Sequence, residues 1–151
     1  MQGSARPIHC WSALVQPCQQ WLEGGLWSPE SAAVHGIEPE ILLEQGRPPE
    51  QICDRLNALL APASVVVTDA PLHDQDWLDS LFRAAGREQL FTLREFDALI
   101  GSLDAGQGRR LAHLLDQSPI PHRAGADALR LASALMEAAV GHPPEVRWLN
   151  P

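Results

Sequence analysis

Three β-branched residues, Val65, Val66 and Val67, follow one another with no polar residue between them. Such a run suits a strand buried on both faces, since a half-solvated strand would alternate apolar and polar positions. Near the start, Ile8, Cys10, Ser12 and Leu14 alternate with His9, Trp11 and Ala13 before Pro17, which predicts a second strand. "QLFTL" at 89–93 predicts a third, short one. The remaining pattern is helical. In "EQICDRLNALLA", Ile52, Leu56, Leu59 and Leu60 form one apolar stripe. In "DQDWLDSLFRAAG", Trp77, Leu78, Leu81, Phe82 and Ala85 share a face, and Gly86 ends the run.

Local punctuation places further helices. Ser28 is a cap, Pro29 a first helical residue, Glu30 a first-turn acid and Gly36 a stop. "EPEILLEQG" predicts a short helix ending at Gly46. "REFDALIGSL" and "GQGRRLAHLLDQ" predict two more around a break at 104–108. A last helix is predicted over 123–140, with Leu129, Ala132, Met136 and Ala139 inward and "GHPP" ending it. Strands mixed with helices, one strand wholly apolar, indicate an α/β layer architecture.

Length and composition narrow this picture. At 151 residues, the chain fits one domain able to bury about two thirds of its unfolded surface. A formal net charge of -8 argues against broad binding of nucleic acid through a basic face. It leaves open a nucleic-acid enzyme that offsets carboxylates and phosphates with bound cations. Cys10, Cys18 and Cys53 are odd in number and form no C-x-x-C pair, so they read as free or buried thiols in a reducing compartment. His9 and Cys10 with Cys18 lack a fourth ligand at metal-site spacing. No apolar run reaches the roughly 20 residues of a membrane span and no leader opens the chain, so a cytoplasmic protein without membrane contact is expected.

The candidate chemistry lies in two segments, "VVVTDAPLHDQDWL" and "PHRAGADALRLASAL". In the first, Asp74 stands six residues beyond Thr68, where the valine-rich strand ends. Ligand-binding groups in α/β sheets gather at such strand ends, although a helix-opening acid has a structural use as well. In the second, His122 precedes the last helix and Asp127 falls in its first turn. Alone, that pair also fits a solvated histidine and a first-turn acid.

Together and in order, the segments resemble the second and third motifs of the DEDDh 3'→5' exonucleases. The second motif of that superfamily is a strand, a turn, then an aspartate followed two residues later by Phe/Trp-Leu; here Asp74 is followed by Trp77 and Leu78, with Asp69 where Asn is common. The third reads His-Arg-Ala-x-x-Asp-Ala, and "HRAGADA" matches it with His122 and Asp127. "SALVQP" and "SPESAAVHGI" resemble the family's link from its third strand to its first helices, so the resemblance covers about 8–140. It implies a ribonuclease H-like mixed sheet with flanking helices and two divalent cations, Mg²⁺ or Mn²⁺. It further implies phosphodiester hydrolysis at RNA or single-stranded DNA 3' ends. Asp74 and Asp127 would be metal ligands and His122 the general base, with His73 unassigned. The residue types suit the reaction: carboxylates hold hard cations, and a histidine accepts a proton near neutral pH.

The family's first motif, Asp-x-Glu on the central strand, is absent from all 151 residues. "EPE" at Glu38–Glu40 is the nearest acid pair and lies in the wrong place. By the resemblance, the chain opens near the turn between the family's second and third strands. Two explanations follow: a further N-terminal segment belongs ahead of Met1, or the sheet is remodelled and completed by a partner or second copy. Bare strand edges favour self-association, a homodimer included. Hydrolysis by these residues alone is expected to be absent or very weak, with weak cation binding. A non-catalytic binding module and an ordinary α/β domain are the competing expectations.

Overall fold

Proline starts four of the helices of this protein, each at the first helical position, where its missing N–H costs nothing and its fixed φ suits the turn. The structure is a computed structural model that describes residues 6–25 and 28–150. In chain order the elements are β1 (Ile8–Cys10), α1 (Gln19–Glu23), α2 (Pro29–His35), α3 (Pro39–Gln45), α4 (Pro49–Leu60) and β2 (Val66–Thr68). They continue with α5 (Pro71–Ala85), β3 (Leu93–Glu95), α6 (Asp97–Ile100), α7 (Ala105–Gln117), α8 (Ala124–Val140) and β4 (Val146–Trp148). The protein is mixed α/β. Its contacts divide it into two units, Ala13–Leu99 and the combined ends Met1–Ser12 with Ile100–Pro151.

Helices α2 to α5 lie within Ala13–Leu99. Ser28 caps α2 by accepting the Ser31 N–H, and Gly36 and Gly86 end α2 and α5 in left-handed conformation. Strand β2, helix α5 and strand β3 form one parallel crossover, with Val66, Val67 and Thr68 opposite Leu93, Arg94 and Glu95. The core joins α4 to α5: Cys53, Phe82 and Ala85 are buried, with Leu56, Leu78, Leu81 and Phe91 packed around them. Asn57 ties down the segment after α5, donating to the Glu88 carbonyl at 2.8 Å and accepting from the Leu90 N–H at 2.9 Å. Arg87 adds an exposed ion pair to Asp54 at 2.8 Å, worth little by itself.

The valine strand is half-buried rather than buried on both faces, as fits a sheet that has two strands among the described residues. The first strand is also shorter than its alternation predicts. After Cys10 the chain leaves the ladder, and Leu14 and Gln16 exchange backbone bonds with Arg47 instead, each 2.8 Å.

In the other unit β1 pairs in parallel with β4, placing Ile8, His9 and Cys10 opposite Val146, Arg147 and Trp148. Nothing in the sequence pattern predicted β4. Helix α7 opens on a reciprocal cap: Asp104 accepts the Gln107 N–H at 2.8 Å, while Gln107 Oε1 accepts the Asp104 N–H at 2.9 Å. Helix α8 packs against α7 and β1. Its fully buried positions are Ala134 and Ala138, on the face opposite to Leu129, Ala132, Met136 and Ala139. The predicted inward face of α8 is therefore half a turn off.

All three cysteines are free. Burial, then the nearby Asp54 charge, pushes the Cys53 thiol up to about 11. Cys18 is the most accessible thiol and should react first with a maleimide at pH 8, followed only on local opening by Cys10 and Cys53. The raised folded-state value also sets a pH dependence. The stability it confers is intact below the ordinary thiol pKa of about 8.5 and is lost as pH rises through the folded value. Mass-spectrometric labelling rates check the order, and equal rates at the three thiols would refute it.

Candidate functional site

The first of the three candidate residues stands at the β2–α5 turn. Thr68 ends β2, Ala70 occupies the cap position of α5, and Pro71 begins the helix. Asp74 therefore falls in the first turn rather than at the cap. Its Oδ2 accepts the Thr68 hydroxyl, and the Thr68 oxygen accepts the Ala70 N–H at 3.2 Å. This relay locks strand end, turn and helix start together. A carboxylate there also gains about 0.3–1 kcal/mol from the helix dipole. One oxygen of Asp74 is thus already committed to the fold.

Around it, His73 and Asp69 are exposed. Trp77, predicted inward, is 69% exposed. It lies about 100° around α5 from Leu78, at the margin of the stripe that Leu78, Leu81, Phe82 and Ala85 bury.

The other two candidates belong to the second unit, at the α7–α8 connection. Arg130 reaches back from α8 and donates to the Leu115 carbonyl at 2.6 Å, the Ser118 carbonyl at 3.2 Å and the Ser118 hydroxyl at 2.9 Å. It closes the last turn of α7, where the Ser118 hydroxyl also donates to the Leu115 carbonyl at 3.3 Å. At the far end, Gln107 donates to the Ala139 carbonyl at 3.1 Å. The connecting segment between Ser118 and α8 lies just beyond the Arg130 tie, and the Gln107 tie closes the opposite end of the helix pair.

His122 sits in that segment, exposed, with φ 57°, the one described residue other than glycine in the left-handed region. Histidine tolerates that region better than most residues, but the conformation is uncommon. Asp127 follows in the first turn of α8. Spacings of four, seven and eleven residues put it on one stripe with Leu131, Ala134 and Ala138, the buried side of the helix. Its Oδ1 is buried and has no hydrogen-bond partner among the described residues. An oxygen left in that condition costs about 1–3 kcal/mol. The indole N–H of Trp11 is the other buried side-chain polar group left unpaired among the described residues.

His122 and Asp127 thus share one helix entrance, while Asp74 occupies a helix entrance of the other unit. A two-metal centre needs several carboxylate oxygens converging on two hard cations. Here one acid is tied to Thr68, the other offers a single buried oxygen, and the sequence holds no Asp-x-Glu. Among the described residues, no three His, Cys, Asp or Glu side chains converge. The donors present do not furnish a two-metal ligand set, and no hydrolytic step follows from them.

Two neighbours of this site carry no sequence signal: Arg130, which ties α8 to α7, and Trp148, whose ring lies beside Gly125 of α8. Both relations arise from packing between elements. No protein-family model, characterised protein or solved structure matches the chain. Among the described residues, no helix is long and apolar enough to cross a membrane.

Proposed function

We propose that this chain is a 3'→5' exonuclease-type domain of the DEDDh superfamily, with a ribonuclease H-like sheet. It bears the second and third motifs without the first. In this reading it engages the 3' end of RNA or single-stranded DNA, and its 151 residues alone do not turn over the phosphodiester bond. Asp74 and Asp127 occupy metal-ligand positions and His122 the position of the general base. Bound Mg²⁺ or Mn²⁺ would supply charge stabilisation at the phosphate in a complete site.

One observation carries the reading. Asp127 keeps a buried carboxylate oxygen without a partner among the described residues, at the head of an otherwise apolar stripe and five residues after a histidine in a strained backbone conformation. The helix dipole rewards a first-turn acid without requiring that one of its oxygens be buried unpaired, and strained or unsatisfied groups concentrate where a ligand is handled. A non-catalytic module on the same framework is the second reading. It is favoured by the engagement of Asp74 with Thr68, which gives that acid a structural task.

The test pairs metal binding, nuclease activity and stability. The chain should bind Mn²⁺ weakly, at about millimolar concentration, with paramagnetic broadening centred on 122–128 and abolished by Asp127→Asn. Labelled single strands should remain intact. Asp127→Asn should change stability by less than about 1 kcal/mol, because relief of a desolvated charge offsets the lost first-turn dipole contribution. Asp74→Ala should cost about 1–3 kcal/mol by freeing the Thr68 hydroxyl and removing a first-turn charge. Manganese broadening that ignores Asp127, or 3' trimming that survives both substitutions, rules the assignment out.

A further inference from the structure

Helix α5 carries the two most exposed large apolar side chains of the described residues, Leu72 at 83% and Trp77 at 69%. Around the part of the helix that the α4–α5 core leaves uncovered, they fall in two neighbouring stripes. Leu72, Asp76 and Asp79 follow one another at spacings of four and three residues, and His73, Trp77 and Ser80 do the same beside them. Leu72 and Trp77 therefore stand about 7.5 Å apart along the axis, with His73 and Asp76 between them around the helix. Leu72, His73, Asp76, Trp77 and Asp79 are all exposed. Neither Asp76 nor Asp79 makes an ion pair among the described residues; Asp79 instead accepts the Gln75 side-chain amide at 2.7 Å. Arg83, one turn beyond Asp79, is the arginine of this face. The wider surroundings share its acidic character. Ala13–Leu99 holds fourteen of the chain's 19 acidic residues but five of its 11 basic ones, a formal charge of -9 against +1 for the rest.

We propose that this face of α5 docks a basic protein segment, with an arginine of the partner laid on the Trp77 ring and an apolar residue against Leu72. A single exposed leucine needs no explanation, but a tryptophan this open beside unpaired carboxylates marks an interaction surface. Charge complementarity selects the occupant. Asp76 and Asp79 meet the partner's remaining basic groups, whereas an anionic partner is repelled and a neutral apolar one leaves both carboxylates desolvated without a counter-charge. Arginine suits the ring better than lysine, because a planar, weakly hydrated guanidinium stacks on an indole while it bonds to a carboxylate. The platform is held in advance, since Phe82 and Ala85 anchor the helix in the core and Asp74 ties its start to Thr68. Little order is left to lose on binding. The inference stands apart from the function proposed above.

The experiment measures fluorescence anisotropy of a fluorescein-labelled twelve-residue peptide, four arginines and two leucines in a glycine–serine background, titrated with the full chain. Counterparts with lysine or glutamine in place of arginine are compared. Wild type should bind the arginine peptide at micromolar concentration, the lysine peptide about threefold or more weakly, and the glutamine peptide not measurably. Trp77→Ala and Trp77→Leu should weaken the arginine peptide about fivefold or more and erase the preference over lysine. Because the ring is exposed, melting curves should match wild type, and Trp77→Leu keeps apolar bulk if the alanine variant does not fold. Asp76→Asn with Asp79→Asn should weaken binding about threefold or more and flatten its salt dependence. Glu40→Gln with Glu44→Gln removes the same charge from exposed positions of α3 and should change affinity by less than about twofold. A wild type that binds none of the peptides, equal affinity of wild type and Trp77→Leu for the arginine peptide, or an equal loss from the α3 and α5 pairs overturns the proposal. None of these results touches manganese binding at Asp127, so the two proposals fail separately.

Discussion

Phe82→Ala should remove about 3–5 kcal/mol of stability, a large part of the roughly 5–15 kcal/mol that holds a domain folded. Phe82 is 4% exposed and lies at the centre of the α4–α5 core with Cys53 and Ala85. Its ring meets Phe91 edge-on, with centroids 6.1 Å apart and planes at 71°. Truncation deletes the buried ring, leaves a cavity lined by residues of α4 and α5, and forfeits the aromatic pair, worth about 0.5–1.5 kcal/mol. Phe82→Leu retains most of the volume and should cost less than half as much. Urea denaturation measures both, and an alanine variant within about 1 kcal/mol of wild type would show that this core is not what stabilises the unit. The loss also reaches the candidate site, because the helix that Phe82 anchors carries Asp74 and its bond to Thr68.

Gly46→Ala should be comparably damaging for a different reason. Gly46 has an ordinary extended conformation, φ -70° and ψ 147°, so backbone preference does not demand glycine. Space does. An added Cβ would run into the Leu42 carbonyl oxygen and would stand 2.6 Å from Gln16 N and 2.7 Å from Gln16 Cα. All three are main-chain atoms and cannot swing aside. Relief requires separating the end of α3 from residues 14–16, which breaks the 2.8 Å bonds that Arg47 makes with Leu14 and Gln16. Overpacking of this kind costs about 1–3 kcal/mol, and more where backbone must move. Hydrogen exchange should show protection lost at the Gln16 and Arg47 amides; unchanged protection with an unchanged melting temperature would contradict the close approach.

The two candidate aspartates, alike in sequence setting, differ in how they are satisfied. Both stand in a first helical turn and gain from its dipole, but Asp74 also accepts the Thr68 hydroxyl, whereas Asp127 keeps one buried oxygen without a partner among the described residues. Stability measurements therefore separate them even before activity is assayed. That contrast is why the functional proposal leans on Asp127 rather than on Asp74.

Much of this was legible in the residues. Helix starts and stops follow from chemistry confined to a few neighbours: Ser28 and Pro29, Pro39, Pro49, and the glycines at 36, 86 and 141. The strand at 66–68 and the order of the Asp74 and His122–Asp127 segments were legible for the same reason, whereas the third strand lies at 93–95, sharing only Leu93 with the 89–93 expected and taking Arg94 and Glu95 from an expected helix. The inward face of α8 was not. "AGADALRLASALMEAAV" carries small or apolar residues on every side, so its periodicity singles out no face, and contact with α7 and β1 decides that Ala134 and Ala138 go in. Trp77 misled because an aromatic at the margin of a stripe scores as part of it. Strand β4 is three residues long and pairs with the opposite end of the chain, a contact that no local pattern encodes. Local propensity and capping thus determined which segments are helices and where the candidate acids enter them. Only packing between distant segments decided that one oxygen of Asp127 is buried with no partner among the described residues and that Trp148 lies beside Gly125, because burial belongs to the surfaces that meet and not to the residue alone.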